Sequence, residues 1–207
     1  MSHRAGRTRW RRFALILTPS VAACAALGIA MAQGALAASF LISGQRFQVR
    51  VDTLTVRGFS MYVMVDVTKK GERVPVLVTG ARHATISGLC QSVPIDLPLL
   101  GPHTLKITGG EERPATASNM FLDATTESVG QADFRDIDIG IAQGAITKGP
   151  IDPGDRNSRF FDPSGFGQQA QSATLHHVDV TVVAISAGTF DIPGLRLRIE
   201  KGHHECS

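Results

Sequence analysis

Ala173-Thr174-Leu175-His176-His177-Val178-Asp179-Val180 is the stretch on which the fold turns. It reads apolar-x-apolar, two residues, then apolar-x-apolar. The same pattern runs through Leu54-x-Val56-x-x-Phe59-x-Met61, Ala132-x-Phe134-x-x-Ile137-x-Ile139 and Phe190-x-Ile192-x-x-Leu195-x-Leu197, with a shorter copy in Ala84-x-Ile86-x-x-Leu89. Side chains on a strand alternate with period two, so a straight strand would switch faces at each two-residue step. Holding both halves inside requires a bulge or a corner at every break. Gly58, Gly88 and Gly194 stand in three of the breaks, where glycine's freedom serves a tight bend.

Working outward, simple alternation fills much of the remainder. Phe47-x-Val49-x-Val51 alternates with Gln48 and Arg50. Met61, Val63, Val65 and Val67 are expected to share one face of a strand that ends at the polar turn Lys69-Lys70-Gly71-Glu72. Val74, Val76 and Val78 then return as a hairpin partner, with Pro75 suited to an edge. Leu195, Leu197 and Ile199 alternate with Arg196, Arg198 and Glu200. Helical periodicity is nearly absent. These signals predict an all-β domain: a curved β-sandwich or β-roll with bulged strands. The patterns begin at uneven spacings, which disfavours a strict solenoid and leaves an irregular β-solenoid as the alternative. Gly149 to Gly167 carries three prolines and four glycines and is expected to be a long loop. Phe160, Phe161 and Phe166 either pin it to the domain or form a tip that touches a membrane or partner.

Residues 1–37 differ in kind from 38–207. Arg4, Arg7, Arg9, Arg11 and Arg12 precede Phe13 to Ala32, twenty residues without a charge. As a helix that segment would be about 30 Å long, enough to cross a bilayer. The arginines would stay cytoplasmic, placing everything after Gln33 outside. Ala35-Leu36-Ala37 fits a signal-peptidase site, with cleavage between Ala37 and Ala38. Residues 1–37 are therefore expected to be a signal peptide or membrane anchor, and 38–207 an extracytoplasmic β-domain, secreted or held by residues 13–32. Cys24 follows a lipobox-like Val21-Ala22-Ala23, but apolar residues continue beyond it, which fits a small residue within a helix.

Without residues 1–37 the chain has 16 Lys+Arg against 18 Asp+Glu, a net charge of −2. Nothing remains to drive counterion release from a polyanion, so nucleic acid is not an expected partner. Cys90 and Cys206 are the only cysteines left, and an even count outside the cytoplasm predicts a disulfide. Closing so long a loop would contribute about 5 kcal/mol in the chain-entropy picture.

Chemistry is sparse. The nearest approach to a nucleophile elbow is Gly58-Phe59-Ser60-Met61-Tyr62, with tyrosine where the final glycine belongs. His176-His177 cannot chelate from one side of a strand, and His203-His204-Glu205-Cys206 reads as a solvated tail. Asp136 and Asp138, with Asp133 nearby, form a set able to ligate calcium, though more commonly a polar strand edge. No catalytic, cofactor or metal residue is assigned.

Met31 to Gly44 (M-A-Q-G-A-L-A-A-S-F-L-I-S-G), Ile86-Ser87-Gly88-Leu89-Cys90-Gln91-Ser92, Phe134-Arg135-Asp136-Ile137-Asp138-Ile139-Gly140 and the closing Lys201-Gly202-x-x-Glu205-Cys206 together resemble a family of exported actinobacterial proteins, common in streptomycetes and of unknown function. The resemblance spans nearly the whole chain. Some members bear the label "cholesterol esterase", and a small multi-span membrane protein is implied as a partner. The expectation is a non-catalytic cell-envelope protein that binds an apolar or lipid ligand or a membrane partner. A lipid or sterol esterase and a structural surface protein are the alternatives.

Overall fold

The computed structural model describes residues 45–206. Seven antiparallel strands form one sheet: β1 (Phe47–Val67), β2 (Arg73–Ser87), β3 (Leu89–Leu97), β4 (Gly101–Gly109), β5 (Ala115–Ala142), β6 (Phe166–Asp191) and β7 (Arg196–Lys201). The all-β expectation holds. In place of two packed sheets there is a single sheet coiled on itself. Among the described residues no helix is long and apolar enough to cross a membrane. The apolar segment 13–32 and the Ala37–Ala38 junction lie outside the described residues.

The coiling follows from the pairing. From Thr53 to Tyr62, β1 is bonded to β2 on one side and β6 on the other, Leu54 facing both Ile86 and Leu175. β2 pairs onward with β5, and β5 with β6, so the pairings close a circuit through four strands. The circuit is steeply staggered. Val56 meets Ala173 of β6 directly, yet the route through Ala84 and Ala117 arrives at Phe190. β3, β4 and β7 extend from the start of β1, where Arg50 faces Cys90.

Every break in the repeated pattern is a left-handed corner. The second residue of each two-residue step has positive φ: Gly58 (67°), Gly88 (67°), Asp136 (53°), His177 (52°) and Gly194 (68°). A sixth corner stands at Asn119 (46°), within Ala117-x-x-Met120. One residue in this conformation redirects the strand so that the apolar positions before and after it meet the same core. No residue is inserted at these corners: Arg57 faces His83 and Phe59 faces Ala81, the register unchanged across Gly58. The expected bulges are thus corners, and the register shifts fall elsewhere, at Asp123 to Thr126 and between Ile139 and Ile141 on β5. Val56 and Phe59, Ile86 and Leu89, Ala117 and Met120, and Leu175 and Val178 flank corners and share the main core.

The face shared by Met61, Val63, Val65 and Val67 is the less buried of the two. Val63 is exposed and Met61 packs on the main core, whereas Tyr62 and Met64 face a second core with Val76, Val78, Phe121 and Val183. Alternation alone cannot tell which face of the hairpin is covered. The long loop decides it, bringing Ile146, Ile151, Phe160 and Phe161 onto the far face of β1 and β2. Phe160 and Phe161 therefore pin the loop, while Phe166 begins β6 and is exposed. Pro75 sits where β2 has β1 alone beside it, the edge position expected of it.

The corners can be tested by substitution. A Cβ at Gly58 would stand 2.7 Å from the Arg82 stem, and one at Gly88 would strike the Asp52 carboxylate. Gly88→Ala should lower unfolding stability by about 2 kcal/mol or more, from strain and collision together. His177 is exposed and pays for its left-handed backbone, so His177→Gly should raise stability by a few tenths to about 1 kcal/mol. Urea titration of both variants checks the pair.

Candidate functional site

The main core is not filled along its whole length. Where β3, β4 and β7 leave the circuit, a cavity of about 300 Å³ opens between them and the strands behind. One wall is a row of neighbours running Val49, Gln91, Ile107 and Leu197 across β1, β3, β4 and β7. Val180 continues that row beyond Val49, Val178 lies beside Val51, and Met120, Leu122, Ile185 and Ile192 complete the lining. Every lining side chain except Gln91 is apolar. Phe190, Leu195 and Leu197 stand at the lip, Leu197 59% exposed, so the cavity communicates with solvent.

The Gly194 corner shapes one end. Leu195 follows it into the lining, and Ile192 before it lies over Gly109, whose missing side chain makes the space. The seam is tied by Gly110 N–H donating to the Pro193 carbonyl (2.9 Å) and Gly88 N–H donating to the Gly110 carbonyl (3.2 Å).

Cys90 and Cys206 are joined, with Cα atoms 5.9 Å apart across a sequence separation of 116. The bridge brackets the cavity wall from behind. Cys90 and Ser92 flank Gln91 and point to the other face of β3. The Cys206 N–H donates to Ser92 Oγ (3.3 Å), and the His204 N–H donates to Thr104 Oγ1 (3.0 Å). The tail expected to be solvated is thus fixed along β3 and β4, though the His203 and His204 side chains are exposed.

Other residues singled out from the sequence have structural partners. Lys148 Nζ sits 2.9 Å from both Asp136 Oδ1 and Asp138 Oδ2, so the cation between these carboxylates is an ammonium. Hydrogen bonds from Lys148 and Gln169 lower the Asp138 pKa, and those to Asp136 and Asp138 raise that of Lys148. Asp133 accepts from Gln131 Nε2 (2.8 Å). Among the described residues no group of three or more His, Cys, Asp or Glu is placed to hold a metal ion. Ser60 is fully buried on the face away from the cavity, its hydroxyl donating to the Pro150 carbonyl. Gly149 is what lets the loop come so close, since a Cβ there would collide with the Phe59 carbonyl and the Ser60 nitrogen.

Beneath the same loop lies a carboxyl cluster that the sequence pattern did not announce. Tyr62, Val78 and Asp123 are cross-strand neighbours, and Asp66 lies on the same face near the end of β1. The Tyr62 hydroxyl donates to Asp155 Oδ2 (2.7 Å) and accepts from the Asp152 N–H (3.0 Å). Desolvation and the nearby Asp155 raise the Tyr62 pKa. Asp66 and Asp123 lie together under the loop, where burial disfavours both being ionised at once. Burial, then repulsion from Asp66, Asp155 and Asp152, pushes Asp123 up to about 8. Burial likewise raises Asp66, and Asp155 to about 6.

The chain belongs to a family of unknown function, DUF6230, whose match covers residues 43–207. No curated protein and no solved structure matches it.

The carboxyl cluster makes stability depend on pH in a set direction. An unfolded Asp titrates near pH 4, whereas folded Asp123 keeps its proton to about 8. Between those values the folded state holds a proton that the unfolded state has lost, so stability must fall as pH rises. Urea midpoints should decline from pH 5 to pH 8. Asp123→Asn, which keeps the shape but cannot ionise, should remove much of that decline.

Proposed function

We propose that this chain acts outside the cytoplasm as a non-catalytic cell-envelope domain that takes a small apolar, lipid-like ligand into the cavity behind β3, β4 and β7. The cavity carries the reading. Its volume, about 300 Å³, is at the small end for ligand pockets, and its lining is apolar but for one amide. The location draws on the arginine-led apolar segment 13–32 and on the Cys90–Cys206 bridge, a bond that persists in oxidising compartments.

The esterase alternative gains nothing from Ser60. That hydroxyl is turned away from the cavity and held by the backbone of the covering loop. A structural role is less well supported, because a fully packed core would leave no such space.

Organic extraction of the full chain, purified from cells that express it, followed by mass spectrometry should recover a stoichiometric apolar molecule. Ile107→Trp fills the cavity from β4 and should abolish recovery while leaving the protein folded. If the wild-type extract contains no such molecule, and octane added to the full chain leaves the Met120 methyl resonance unmoved, the ligand-binding reading fails.

A further inference from the structure

The polar content of the cavity is a single side chain, and its chemistry constrains the ligand. Gln91 is half-buried on β3 between Val49 and Ile107, and its amide has no hydrogen-bond partner among the described residues. An amide at an apolar wall would be exchanged for leucine at little cost to the fold, and by volume and burial Leu suits this row better. A primary amide both donates and accepts, so it can satisfy a hydroxyl in either direction.

No charged side chain lines the cavity. Arg196 and Arg198 alternate with Leu195 and Leu197 and so lie on the other face of β7. An ionised carboxylate or phosphate taken inside would lose its hydration with no cation to replace it. Building on the ligand-binding reading, we infer that Gln91 is the specificity-determining residue of the cavity, selecting an uncharged hydrocarbon molecule that carries a hydroxyl over the bare hydrocarbon and over the corresponding acid anion. The apolar walls supply affinity, and Gln91 supplies orientation, holding the hydroxyl end against the start of β3.

The test compares octan-1-ol, octane and octanoate on the full chain, with the Met120 methyl, which lines the cavity, as the resonance followed. The informative quantity is the ratio of octanol to octane affinity, because hydration of the free alcohol then cancels between variants. Gln91→Leu should lower that ratio about tenfold, the cost of leaving a buried hydroxyl unpaired, with octane binding unchanged or tighter. Octanoate should bind wild type weakly at pH 7 and more tightly as acid neutralises it. Gln91→Met, closer in shape, guards against a packing change peculiar to leucine.

A ratio unchanged by both substitutions would overturn the assignment of Gln91 while leaving the cavity a binding site. Octanoate anion binding as tightly as octanol would overturn the preference for an uncharged ligand. If neither octane nor octanol moves the Met120 resonance, the ligand-binding reading itself is wrong, and this inference falls with it.

Discussion

Strand geometry and a single core are in conflict in this chain, and left-handed corners resolve the conflict. Strands of 21, 28 and 26 residues are far longer than one flat sheet could cover with one core. Bending at Gly58, Asn119, Asp136 and His177 lets them wrap around a common interior without losing register. Everything else is arranged around those bends: the closed circuit β1–β2–β5–β6, the β3–β4–β7 extension that departs past Gly88, and the cavity where extension and circuit part. Three of the corner residues are not glycine but asparagine, aspartate and histidine, the other residue types that most readily accept this conformation.

β1 is used on both faces, and this divides the molecule's chemistry. Phe59 and Met61 look into the main core, while Ser60, Tyr62 and Met64 look under the loop. The main core is apolar and incompletely filled, with the cavity at one end. The loop-covered face holds the buried carboxyls Asp66 and Asp123 and the Tyr62–Asp155 bond. The cavity is lined without charge, and the buried acids are gathered on the other face.

The repeated two-residue break could be read directly, because it violates alternation five times in the same way. The hairpin at Lys69–Glu72, the edge position of Pro75, the anchoring of Phe160 and Phe161 and the pairing of Cys90 with Cys206 were likewise open to inspection. Asn119 was hidden because the residues before it are alanines, too small to mark an inward face. The burial of Tyr62 and Met64 could not be read locally, since Tyr62 is bonded to residues some ninety positions later. Asp66 and Asp123 look like surface positions when read singly, and only strand register brings them together. The cavity has no signature in sequence, for its lining is made of the same residue types as a filled core. Gln91 alone departed from the pattern, and one glutamine carries too little information to announce a pocket.

Closing the circuit also sets an order of events. From Thr53 onward β1 finds β2 at once, but its other edge stays open until Gly167–His176 of β6 exist. The two partners of the first strand are thus made apart in time, β2 directly after it and β6 only after β5. Pairings of such sequence separation form slowly, because the intervening loop must be closed before any contact repays it. A chain built this way keeps one edge of its first strand open, a template for wrong partners, until β6 has been made.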